Sequence, residues 1–314
     1  MHPALSVILF TVLSGAGYGL LALAGLSGLL GVVPSDPVIG GLALGAALVL
    51  ITLGLAASTR HLHHPERAWR AFSQWRSSWL SREAVAAVAT YPPALWLMGA
   101  WTIRGEVPTA AALLAALGAV ATVLCTGMIY ASLKPVPRWH HPLTVPVYLG
   151  LAAATGGVAL VAVARLAGRA GYAVELAALL ALLLAWTLKG AWWRLTDRPS
   201  LQPTPADATG LSDRGPVRLL DPPHTGTSYL LDEMGYRVAR KHAAKLRRIA
   251  LVLGMGVPAL LIVLFTGWPP AWLGGTAAVL ALAACLAGTL IERWLFFAEA
   301  RHTVVLYYGA ESLA

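Results

Sequence analysis

Hydrophobic and polar positions fall in long alternating blocks. Eight apolar segments, 4–32, 37–59, 83–103, 109–133, 143–166, 172–194, 246–268 and 271–298, each reach the length of about 20 residues that a helix needs to cross a bilayer. Pro and Gly punctuate the breaks, as at Val33-Pro34-Ser35-Asp36-Pro37 and Trp268-Pro269-Pro270. The pattern predicts an all-α, polytopic integral membrane protein whose eight transmembrane helices form two four-helix bundles. Gly15, Gly17, Gly25, Gly28, Gly41, Gly45, Gly156 and Gly157 lie inside the spans, where small residues let helices approach closely. The first apolar run, from Leu5 to about Val33, lacks a preceding basic stretch and is too long for a cleavable signal peptide, so it reads as the first span.

Composition agrees. The chain is 58% hydrophobic and 12% charged, against about 25% charged for soluble proteins. The formal net charge of +9 would suggest nucleic acid in a soluble protein, but here the charges separate apolar blocks and serve orientation and lipid headgroup contact. Of the 23 Lys and Arg residues, 19 lie in or beside the segments following spans two, four, six and eight. Arg104, Arg165 and Arg169 lie on the other side, and Arg293 falls within the last span. The positive-inside rule therefore places both termini in the cytoplasm.

The segment 196–245 is the one long polar stretch, rich in Pro, Gly and Asp and ending in a basic helical run before span seven. It reads as a cytoplasmic loop for docking a partner; the alternative is a disordered linker with a headgroup-binding helix. None of the nine histidines lies in the middle of a span, which argues against a haem held between membrane histidines. Cys125 and Cys285 are isolated in apolar segments, so no iron-sulfur or zinc site is expected. His61, His63 and His64 lack a second ligand cluster, so no metal is assigned there either. No series of intramembrane carboxylates suggests an ion pump.

Candidate chemistry gathers at the cytoplasmic ends of the spans. His61, Arg67 and Trp69 follow span two, and Glu83 opens span three. Tyr130, Ser132 and Trp139 end span four, and Arg293 lies near the end of span eight. An interfacial belt of aromatic and basic anchors explains part of this set. His61, Glu83 and Arg293 fit it less well, since an acid or Arg within a span is costly unless paired or functional. Quinone chemistry needs such groups: donors to the carbonyl oxygens and a titratable His or carboxylate to pass protons.

The sequence resembles the DMSO reductase anchor subunit family (DmsC-like) over essentially its whole length. The resemblance rests on His61, Leu62, Pro65, Arg67, Ala68, Trp69, Leu80, Ser81 and Glu83; on Tyr130, Ser132, Val136, Pro137 and Trp139; and on Leu290, Ile291, Arg293, Phe296 and Phe297. It implies an eight-helix anchor in a bacterial cytoplasmic (inner) membrane, partnered by a four-cluster iron-sulfur subunit and a molybdopterin catalytic subunit on the cytoplasmic face. In that family the His and Glu matching His61 and Glu83 are associated with quinol binding. Two departures stand out: His63-His64, where relatives often have small residues, and the length of the 196–245 segment. The stretches 77–83 and 219–226 are similar to the branch attached to cytoplasmic sulfite dehydrogenases (SoeC-like). The expected function is thus a quinone-binding anchor, holding ubiquinone or menaquinone, that passes electrons from sulfite oxidation to the quinone pool. A menaquinol-oxidising anchor of a DMSO-type reductase, and a structural anchor or transporter without quinone chemistry, are the alternatives.

Overall fold

The computed structural model describes residues 4–59, 64–169, 171–198, 203–215, 217–218, 220–221, 242–267 and 270–308. Eight long helices run through them: α1 (Leu5–Leu29), α2 (Pro37–Thr59), α3 (Trp79–Arg104), α4 (Thr109–Ala131), α5 (Thr144–Leu166), α6 (Tyr172–Thr196), α7 (Ala243–Leu264) and α8 (Ala271–Ala298). No strand occurs among the described residues. Seven of the eight are long and apolar enough on their own to cross a membrane. The remaining one, α3, carries Thr90, Tyr91, Pro92 and Pro93 at its centre, which dilute its apolarity without ending the helix.

Two boundaries differ from the sequence pattern in ways that matter. Helix α3 starts at Trp79, because the Ser78 side chain accepts from the Ser81 backbone N–H and caps it. Glu83 therefore sits one turn inside the helix instead of at its mouth. Helix α7 begins at Ala243, so the basic residues Lys245, Arg247 and Arg248 belong to its first turns. Its middle, Val252–Gly256, widens into a π turn. There the indole N–H of Trp186 donates to the Gly254 carbonyl at 3.0 Å.

Helices α1 to α4 pack as one bundle and α5 to α8 as a second. The seam between them is the crossing of α1 with α5, flanked by α4 against α5 and α1 against α8. Gly19 and Gly156 meet where α1 and α5 cross, and a Cβ on either would run into the opposing backbone. Without water to drive helices together, such close backbone contact is what holds spans in lipid. Within the 196–245 segment, residues 205–209 form a single helical turn capped by Thr204, and the Tyr307 hydroxyl donates to its Ala208 carbonyl at 2.5 Å. The basic stretch before α7 falls almost wholly outside the described residues.

Candidate functional site

Glu83 is 5% exposed, facing α4 from one turn inside α3. Its carboxylate accepts a hydrogen bond from the Thr126 hydroxyl. Among the described residues no cation pairs with it: the adjacent Arg82 turns away, donating to the carbonyls of Trp75 and Arg76 and lying 4.2 Å over the Trp79 ring. A buried carboxylate without a counter-charge is expensive to keep ionised, so this group is suited to exchanging a proton. Thr126 fits both of its states. Its single hydroxyl hydrogen has a second acceptor, the Thr122 carbonyl at 3.0 Å, so it turns there when Glu83 carries a proton and donates one.

On the same end of the molecule, α8 and α6 bury three charges. Glu292 accepts from Arg293 Nε at 2.5 Å and Nη2 at 3.0 Å, and forms an ion pair with Lys189 Nζ at 2.5 Å. Lys189 and Glu292 are both fully buried. Aromatic rings take the place of water around the two cations. Lys189 Nζ lies 3.6 Å from the Trp192 ring centroid, and the Arg293 guanidinium lies 4.1 Å from that of Tyr148. Tyr130 stacks on Tyr148 and meets Trp139, Phe296 and Phe297 edge-on. Trp139 stacks on Phe296 and donates its indole N–H to the Phe296 carbonyl at 2.9 Å.

Between the Glu83–Thr126 pair and this charged cluster lies a cavity of about 20 Å³, lined by Thr11, Ser14, Thr126, Tyr148, Thr289 and Arg293 among others. That volume holds about one water. The lining residues come from α1 and α4 of one bundle and α5 and α8 of the other, about 6 to 17 Å from their helix ends at about 1.5 Å per residue.

Nearer the surface, Arg138 and Arg247 clamp Asp197 and Glu299. Arg138 Nη2 reaches Asp197 at 2.7 Å and Glu299 at 2.8 Å, and Arg247 reaches them at 2.6 and 2.8 Å. These contacts tie the α4–α5 connection to the ends of α6, α7 and α8. Partial burial pushes the Asp197 carboxyl up, but hydrogen bonds and charge from Arg247 and Arg138 outweigh it and hold the group below the ordinary carboxylate range. At the opposite end of the spans, Arg165 and Glu175 form a separate buried pair at 2.7 Å, joined to α7 through the Ile262 carbonyl and Thr266.

The structure thus brings Glu83, Tyr130, Trp139 and Arg293 to one end, with Thr126 and Arg293 on one cavity. Arg67, Trp69 and Ser132 stand apart from it: all three are exposed, Trp69 to 66%. Arg67 lies 3.8 Å from Glu66, and the Ser132 hydroxyl donates to the Ile129 carbonyl. His61 lies outside the described residues. Lys189 and Glu292 were not among the sequence candidates, and the charge count placed Lys189 with the polar segment after span six. Lys189 lies inside α6 with Trp186, Trp192 and Trp193 three or four positions away, the helical spacing that puts them on its face. That spacing was the available signal.

Two comparisons bear on this geometry. The family described as DMSO reductase anchor subunit (DmsC) matches residues 1–309. A sulfite dehydrogenase subunit from Allochromatium vinosum is 36% identical over an alignment covering 98% of this chain and 99% of that protein.

Proposed function

Because the chain belongs to the DMSO reductase anchor subunit (DmsC) family, we propose that it anchors a molybdopterin and iron-sulfur oxidoreductase to the membrane and binds the quinone that exchanges electrons with it. The observation that carries the reading is Glu83: a carboxylate buried one turn into a span, bonded to a hydroxyl that serves either protonation state, with no cation beside it among the described residues. Reduction of a quinone takes up two electrons and two protons, so the electrons from the iron-sulfur partner need protons delivered at the same place. Glu83 is the group that holds and hands over a proton, and Thr126 orients it. The donor chemistry fits a quinone oxygen. The cavity behind Thr126, at about 20 Å³, takes water and not a ring. We therefore assign the headgroup to the side of Glu83 away from that cavity, and assign donation to the second oxygen to His61, the residue that the family resemblance associates with quinol binding. The aromatic cluster of Tyr130, Trp139, Tyr148 and Phe296 walls off the charged triad and keeps this end rigid.

The clustering of Lys and Arg at this end supports a cytoplasmic position for it, and with it the docking there of the iron-sulfur and catalytic subunits. The similarity to the Allochromatium vinosum sulfite dehydrogenase protein supports sulfite as the electron source, with flow toward the quinone pool. The family's description as a DMSO reductase anchor favours a second reading, in which the same carboxyl accepts protons from a quinol being oxidised. The test is Glu83→Gln in the intact complex, assayed for sulfite-dependent reduction of a water-soluble quinone analogue. The expected outcome is a loss of about 100-fold or more in kcat, the usual worth of a proton-transfer group. Co-purification of the subunits, and sulfite oxidation with an artificial acceptor at the catalytic subunit, stay unchanged. Undiminished quinone turnover would overturn the proposal.

A further inference from the structure

The cavity between the two bundles has a lining that selects its occupant. Thr11, Ser14, Thr155 and Thr289 each donate their hydroxyl hydrogen to a carbonyl of their own helix, at 2.6 to 3.0 Å, leaving oxygen lone pairs as acceptors. Two buried donors on the lining, Arg293 Nη1 and the Tyr148 hydroxyl, have no hydrogen-bond acceptor within the protein among the described residues. An orphaned buried N–H or O–H costs about 1–3 kcal/mol. A metal cation is excluded by the guanidinium on the wall and by the lack of any carboxylate there. An anion is disfavoured, because Arg293 is already neutralised by Glu292 and, apart from Tyr148, the polar lining hydroxyls already donate to carbonyls or to Glu83. A water satisfies both orphaned donors with its lone pairs and gives its own hydrogens to the hydroxyl oxygens, and the volume of about 20 Å³ matches one.

We propose that this cavity is a water site that relays protons to Glu83 through Thr126. This rests on the quinone reading above and extends it by naming the supply route. When the Tyr148 hydroxyl turns off the cavity water, the freed lone pair takes up a proton from a cytoplasmic hydronium, and the water passes one of its own to Thr126 Oγ1. As that O–H bond forms, Thr126 passes its hydrogen to the Glu83 carboxylate, with which it is already hydrogen-bonded. The hydronium becomes water, Glu83 becomes neutral, and the relay itself moves no electrons. Arg293 and Tyr148 act as positioning residues that hold the water's oxygen.

Gly15 supplies the test. It lines the cavity, and a Cβ built on it meets nothing within 4 Å. Gly15→Ala therefore fills the space without a clash, and alanine is the better helix former. In the intact complex, Gly15→Ala is expected to lower quinone-analogue turnover roughly tenfold or more, with KM for the analogue and artificial-acceptor activity unchanged. Thr289→Val, which removes an acceptor without changing volume, is expected to lower turnover less. A high-resolution cryo-EM map of the wild-type complex should show a water within hydrogen-bond reach of Arg293 Nη1, and the Gly15→Ala map should lack it. Wild-type turnover in Gly15→Ala, or an empty cavity in the wild-type map, overturns the relay. If Glu83→Gln is inactive while Gly15→Ala runs at the wild-type rate, the relay alone falls. Full turnover by Glu83→Gln removes both readings.

Discussion

Glu292→Gln is the substitution with the largest consequence for the fold. The carboxylate holds two cations at 2.5 Å, Lys189 through Nζ and Arg293 through Nε, and all three residues are at most 2% exposed. Neutralising it leaves two positive groups facing one another with no compensating charge. Removing one partner of a buried ion pair costs about 3–5 kcal/mol, and a third charge left on the same site places this case toward the upper end. At about 2–4 °C per kcal/mol for a chain of this order, the unfolding midpoint falls by about 10 °C. Tryptophan emission reports the transition, since Trp192 packs against Lys189. The double variant Lys189→Met/Glu292→Gln restores the original net charge of the cluster. It should recover about 2 kcal/mol relative to the sum of the single variants, a coupling within the range for residues in contact. A single-variant cost below about 1 kcal/mol, or strictly additive effects, would refute the assignment of this triad as a coupled buried unit.

Gly156→Ala should prevent assembly of the two bundles, because its Cβ would run into the Gly19 backbone at the α1–α5 crossing; membrane yield and size-exclusion profile report it, with Gly15→Ala as the tolerated comparison. Asp197 is held below its ordinary range in the folded chain, so its contribution is fully present above the unfolded carboxylate value of about 3.9 and lost as pH falls through the lower folded value. The thermal midpoint of the wild type should therefore exceed that of Asp197→Asn at pH 5–8, and the gap should close below about pH 4. Trp186→Phe removes one of two donors to the Gly254 carbonyl in the π turn, the Cys285 thiol remaining at 3.6 Å, and should cost about 0.5–1.5 kcal/mol, the net worth of one hydrogen bond, measured by the same midpoint.

The helices were legible in the sequence because lipid demands a length and an apolarity that few other contexts share. Even α3, diluted at its centre by Tyr91, Pro92 and Pro93, was bounded by its polar flanks. What periodicity misses is the start of α3, set by the Ser78 cap, and hence the depth of Glu83. Arg293 was visible as a charge out of place. Its partner Glu292 was hidden by adjacency, since neighbouring positions on a helix do not normally face each other; here the guanidinium folds back along the helix to reach it. Lys189 was hidden for a different reason. Trp192, Trp193 and Arg194, three to five residues after it, resemble the interfacial end of a span, and only the fold shows Trp192 and Phe296 closing over it.

The position of the cavity carries a consequence for how the anchor is built. Its walls come from both bundles, and the seam is made by glycine contacts that leave no room for adjustment. Glu83 belongs to the first bundle and the charged triad to the second, so neither half alone contains the whole of the proposed relay. The Arg138–Asp197–Arg247–Glu299 clamp ties the α4–α5 connection to the ends of α6, α7 and α8, and Tyr130 of α4 packs against Tyr148 and Phe296, so the α1–α5 crossing acts together with these contacts to fix Thr126 against Arg293. A substitution that loosened this crossing by even one methyl group would separate them while leaving each bundle folded. The site is therefore expected to fail before the fold does, with quinone turnover lost at temperatures where each bundle still keeps its helical content.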